Sequence, residues 1–178
     1  MNTLTVMREV ERVEAARPMR HQTPPTHPQS QSLEAFITHT RPDYEWEWYH
    51  RLWCQTLDRF VAGDLTRLMV FAPPRHGKSE IVSRRLPAYL LGRQPDASII
   101  ACSHTAALAS RMNRDTQRVI DDARYQAVFP ETRLASKGVA GGRWVRTDEL
   151  FEVVGRKGSY RSAGVGGSIV GMGFDIGI

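Results

Sequence analysis

The stretch Arg67-Leu68-Met69-Val70-Phe71-Ala72-Pro73-Pro74-Arg75-His76-Gly77-Lys78-Ser79 decides how the rest of the chain is read. Arg67 to Ala72 is a short, nearly continuous apolar run, the pattern of a strand buried on both faces. From Lys78 to Leu91 the residues Ile81, Val82, Leu86, Tyr89 and Leu90 recur on one helical face, so a helix is predicted to begin at Lys78. Pro87 falls inside that helix and is expected to bend or restart it, because it has no N–H to donate. Between strand and helix, Ala72 to Ser79 fits the pattern G-x-x-x-x-G-K-[ST] with alanine in the first glycine position.

That pattern has a physical reading in this setting. A helix start presents unpaired backbone N–H groups and a partial positive charge to an anion. Gly77 permits close approach of the backbone, and the amides of His76 to Ser79 are placed to wrap phosphate oxygens. Lys78 supplies a mobile charge for β/γ oxygens, and the Ser79 hydroxyl is a Mg²⁺ ligand. Arg75 either reaches a γ-phosphate or points outward to an acid or to DNA. The plain structural alternative is a Pro-Pro turn entering an ordinary helix.

Ahead of this stretch, Ser32 is the expected N-cap of a short helix through Leu33, Phe36 and Ile37. Trp48 to Val61 shows helical spacing and ends at Gly63. Ala97 to Cys102 is a second buried-strand run, and Thr105 to Asp121 a second amphipathic helix. Strand, helix, strand, helix predicts parallel βαβ units. Leu150 to Val154 reads as a strand with a hairpin partner at Gly158 to Ala163. Gly164 to Ser168 is then a flexible or closely approached loop, and Phe174 to Ile178 starts a buried strand.

The organisation is one α/β domain over residues 32–178 behind a disordered or loosely packed extension over residues 1–31. Pro18, Pro24, Pro25 and Pro28 in polar filler argue for a linker there, after a possible short helix from Glu9 to Ala16. Eleven of the fourteen glycines lie at or after Gly138, so the last zone differs in character from the rest.

Composition narrows the function classes. Of 178 residues, 41% are hydrophobic and 24% charged, a globular balance. The formal net charge of +5 is carried mostly by arginine and is spread along the chain, which permits a polyanionic partner without requiring one. No run approaches a bilayer's length, so no membrane span is expected. The N-terminus lacks the apolar core of a secretory signal. Cys54 and Cys102 are too few for a disulfide framework or a zinc site. A cytoplasmic location is the expectation.

The segments PPRHGKSE (73–80), RLMVF before it and SRRLPAYLLGR after it, with ACSHTAALA, FPETRL and the tail GVGGSIVGMGFDIGI, resemble the large terminase subunit of tailed bacteriophages. The resemblance covers about Ser32 to Ile178. It implies an additional-strand P-loop NTPase domain, RecA- and helicase-like, with a partial parallel sheet flanked by helices. The implied role is the ATP-binding part of a DNA-packaging motor. Its cofactors are ATP and Mg²⁺; its partners are double-stranded DNA held by backbone contacts, the small terminase subunit and the portal protein.

By this resemblance Arg75, His76, Gly77, Lys78 and Ser79 form the nucleotide-binding set, with Ser79 also on Mg²⁺. Tyr49 and His50 stand where related motors recognise adenine; packing of their helix against the first strand is the alternative. Ser103 and Thr105 either sense DNA or cap the following helix. Arg111, Arg114 and Arg118 either face phosphates or belong to a solvated face paired with Asp115, Asp121 and Asp122.

In the family, acids that hold Mg²⁺ and position water follow the segment GFDIGI. Asp175 lies on the wrong side of the apolar run to replace them, so the chain alone is expected to hydrolyse ATP feebly or not at all. The strand at Arg67 to Ala72 is expected to have unpaired edges, leaving the isolated chain marginal or aggregation-prone. Two other functions fit less of the sequence: a non-catalytic nucleotide- or DNA-binding remnant of a prophage gene, and a helicase-like DNA-dependent ATPase.

Overall fold

A computed structural model describes residues 7–9, 27–136, 143–166, 171 and 173–178. The remainder of the N-terminal extension, including most of the possible helix at Glu9 to Ala16, and the glycine-rich positions 167–170 lie outside the described residues.

The described chain is a mixed α/β arrangement with a four-stranded sheet flanked by helices. Strand β1 (Met7–Glu9) is followed by a 3-10 turn at Pro28–Ser30 and helices α1 (Leu33–Thr40) and α2 (Trp48–Ala62). Strand β2 (Leu68–Val70) leads through the loop at residues 71–77 into a continuous helical segment, π-helical over Ser79–Arg85 and then α3 (Leu86–Arg93). Next come β3 (Ser98–Ser103), α4 (Ala106–Asp121), α5 (Ala123–Val128), β4 (Leu150–Glu152), β5 (Ser159–Gly164) and β6 (Ile176–Gly177).

The helix caps follow sequence chemistry. The Ser32 hydroxyl accepts from the Ala35 N–H at 3.1 Å, and the Thr105 hydroxyl from the Leu108 N–H at 3.2 Å. Thr105 is therefore placed as a helix cap. Pro87 restarts the helix rather than ending it. Without an N–H it cannot close the bond to the Ser83 carbonyl, and the preceding turn widens so that Leu86 N–H donates to the Ile81 carbonyl. The Thr116 hydroxyl of α4, 3.5 Å from the Ser83 carbonyl, partly replaces the missing donor.

The sheet order is β4-β5-β3-β6, with β3 parallel to both β5 and β6 and with β4–β5 an antiparallel hairpin. Phe151 and Tyr160 stack across that hairpin at 5.2 Å. The core under the helices is aromatic, with Phe36 5.3 Å from Tyr89 and Tyr125 5.3 Å from Phe129, all buried.

The run Arg67 to Ala72 is not a strand buried on both faces: Met69 and Phe71 are each 52% exposed, while Leu68 and Val70 are half-buried. The cause is topological, because β2 is not hydrogen-bonded into the four-stranded sheet. It pairs antiparallel with β1 instead, Met7 opposite Val70 and Glu9 opposite Leu68, so one of its edges is satisfied.

Candidate functional site

The loop from Ala72 to Ser79 stands between β2 and the helical segment, as the spacing predicts. Arg75 and Gly77 both have left-handed backbone, φ 63° and 78°. For arginine this conformation is uncommon and costs energy, so the surrounding turn must hold it. Lys78 has helical geometry, and the first helical bond runs from the Ile81 N–H to the Gly77 carbonyl at 3.0 Å. Among the described residues, the backbone N–H groups of Gly77 to Glu80 donate to no acceptor. Such a row of unspent donors at a helix start is an anion-binding arrangement.

The side chains complete it. The Lys78 ammonium donates to the Ala72 carbonyl and, at 3.1 Å, to the Pro73 carbonyl, so it spans the loop. The exposed Ser79 hydroxyl shares with Lys78 a cleft of about 660 Å³ whose opposite wall includes Phe174, Asp175 and Ile176. Arg75 is exposed, and no ion pair or hydrogen bond of its side chain occurs among the described residues. His76 turns its Nδ1 to the Pro74 carbonyl at 2.8 Å.

His50 and Tyr49 lie beside this loop. His50 is 5% exposed and both of its ring nitrogens are engaged: Nδ1 accepts from the Glu47 N–H at 3.1 Å, and Nε2 is 3.2 Å from the His76 carbonyl. Burial is the main cause that lowers its pKa below the usual histidine value, so the ring is neutral at pH 7. Tyr49 is half-buried, with its ring 4.4 Å from His50, 5.2 Å from Trp53 and 6.0 Å from His76. Trp48 is 65% exposed. A residue that sequence reading passed over, Tyr44, completes the floor. Its buried hydroxyl has no hydrogen-bond partner among the described residues, and burial pushes its pKa up to about 12.

Sequence reading also missed the cluster behind the loop. Glu80, next to Ser79, takes Arg41, Arg84 and Arg85, each at 2.9 Å, and Arg84 in turn reaches Asp115 of α4 at 2.9 Å. Burial alone would raise the pKa of Glu80, but hydrogen bonds from Arg85 and Arg84 outweigh it and hold the carboxyl below its ordinary value. The only hint in the sequence was the closeness of Glu80 to Arg84 and Arg85. The arginines of α4 are largely paired: Arg114 meets Asp148 at 2.9 Å, and Arg118 meets Asp115 at 2.7 Å.

The N-terminal family of T4likevirus-type terminase large subunits matches residues 69–178, a span that includes the whole loop and the four-stranded sheet. The chain belongs to that family. No curated protein and no solved structure matches it. The terminase match begins within β2, so α1, α2 and the His50 floor lie ahead of the matched residues.

The residues present fit a nucleotide's phosphates, with free amides, a spanning ammonium and a hydroxyl on one turn. For Mg²⁺ the fit is limited to Ser79. No group of three His, Cys, Asp or Glu side chains suited to a metal occurs among the described residues, so the ion would have to arrive with phosphate oxygens and water. Asp175 is committed elsewhere, since its carboxylate accepts from the Ser98 N–H at 2.9 Å at the start of β3. No described helix is long and apolar enough to cross a membrane.

Proposed function

We propose that this terminase domain is the ATP-binding part of a DNA-packaging motor and that its sheet and loop form a P-loop NTPase fold of the additional-strand type. The observation that carries this reading is the row of unspent N–H donors from Gly77 to Glu80, with the Lys78 ammonium on the carbonyls at the start of the loop, within the family-matched span. Gly77, Lys78 and Ser79 hold the triphosphate and its Mg²⁺; Arg75 and His76 line the same turn. Phosphates are bound here by preorganised dipoles and one mobile cation, which requires no base on the protein. Magnesium, when bound with the nucleotide, neutralises β- and γ-oxygens.

A packaging motor must accept every DNA sequence, so contact with DNA would run through the phosphate backbone and weaken steeply with salt. The small terminase subunit and the portal protein are the matching protein partners, and the bacterial cytoplasm is the matching compartment.

Isothermal titration of the 178-residue chain with Mg-ATP, alongside Lys78→Ala, tests the reading. Removing the ammonium should weaken binding at least about tenfold, the loss expected for a charge-assisted contact. Equal binding by the two chains would refute the assignment. ATP turnover with and without DNA, using the same variant as control, separates motor activity from simple nucleotide holding.

A further inference from the structure

The peptide unit between His76 and Gly77 has one end tied down. Its carbonyl oxygen lies 3.2 Å from His50 Nε2. Because His50 Nδ1 accepts from the Glu47 N–H, the ring proton sits on Nε2, which therefore donates to that carbonyl. The chain has no cis peptide among its described residues, and in a planar trans peptide the C=O and N–H point in opposite directions. Holding the His76 carbonyl against the floor thus aims the Gly77 N–H away from that floor.

The floor lies close beneath the loop. The His50 ring is buried against Tyr44, Tyr49 and Trp53, with centroids 5.2, 4.4 and 5.5 Å away. A methyl group on Gly77 would stand 2.6 Å from both His50 Nε2 and the Tyr44 hydroxyl, so the loop rests directly on these two side chains.

We propose that His50, with Tyr44 beside it, is a positioning residue for the phosphate loop: it fixes the orientation of the His76–Gly77 peptide so that the loop amides face an anion. The inference rests on the phosphate-binding reading given above. It assigns His50 to the triphosphate through the loop and leaves neither ring nitrogen for the adenine base. Tyr49 packs beside it, with its ring 6.0 Å from that of His76.

Inorganic tripolyphosphate with Mg²⁺ is the deciding probe, because it has phosphates and no base. Its affinity and that of ATP and GTP are measured by titration calorimetry on the full chain and on His50→Phe, His50→Met and His50→Gln. Circular dichroism melts confirm that each variant is folded. Phenylalanine and methionine remove the donor, whereas the glutamine amide restores one at similar reach. The expected result is an equal loss of about tenfold for tripolyphosphate and ATP in the Phe and Met variants, the scale of one lost buried hydrogen bond. Recovery to within about threefold is expected in His50→Gln, with the ATP-to-GTP ratio unchanged throughout. If the phenylalanine chain does not fold, the methionine–glutamine pair decides.

Tripolyphosphate binding that is unaffected in the folded donorless variants, or a loss confined to ATP, overturns the positioning role while leaving phosphate binding intact. Wild-type chain that binds tripolyphosphate no better than Lys78→Ala overturns the binding reading, and the positioning role with it.

Discussion

Arg85 Nε donates to Glu80 Oε1 at 2.9 Å, one residue after the Ser79 hydroxyl that ends the Ala72–Ser79 loop. With Arg84 and Arg41 on the same carboxylate, this pair joins the loop helix to α1 and, through Asp115, to α4. The loop is therefore braced from behind by a partly buried ionic network rather than by apolar packing alone.

Glu80→Ala should cost about 3 kcal/mol of stability, because it strands arginines in a partly buried site. The pH dependence has a definite sign. The folded carboxyl titrates below its ordinary value, so its stabilisation is complete above about pH 4.5 and is lost as pH falls through the folded value. Thermal melts of the wild type and Glu80→Gln from pH 3 to 7 check this; the difference between them should shrink toward the acid end.

Asp58 should act in the opposite direction. Burial raises its pKa from 3.8 to about 6, against the Leu33 N–H bond that caps α1 and the nearby Arg93. Between those values the folded chain holds more protons than the unfolded one, so stability falls as pH rises from about 4 to about 6 and then levels off. Asp58→Asn keeps an oxygen for the Leu33 N–H and removes the charge; its melts should lose this slope and lie above the wild type at pH 7.

Gly77→Ala should cripple the loop without unfolding the domain. At φ 78° alanine pays about 1–2 kcal/mol, and its methyl group would also collide with His50 and Tyr44. The expected outcome is at least about a tenfold loss of Mg-ATP affinity by calorimetry, with a melting temperature lowered by no more than about 8 °C.

Arg114 and Arg118 are themselves exposed and pair with the exposed Asp148 and the more buried Asp115. Replacing either arginine by alanine should change stability by less than about 1 kcal/mol in chemical denaturation. If one of them also grips a DNA phosphate, its removal should lower the slope of log affinity against log salt by about one for every sequence tested. An unchanged slope assigns both arginines to intramolecular pairing.

The placement of the loop between β2 and the helical segment was legible in the chain because it is local. A glycine, a lysine and a serine in consecutive positions after an apolar run carry their meaning wherever they fold, and capping by Ser32 and Thr105 or the restart at Pro87 depends only on backbone donors a few residues away. The hairpin of β4 with β5 was legible for the same reason. What joins distant residues was not. That β2 pairs with β1 outside the four-stranded sheet, that Glu80 gathers arginines from two elements, and that His50 Nε2 reaches the His76 carbonyl beneath Gly77 all depend on packing between segments 26 or more residues apart or on ion-pair geometry. Sequence spacing specifies which groups are available; only the packed chain sets the angstrom-scale distances at which a buried imidazole becomes a support for the loop above it.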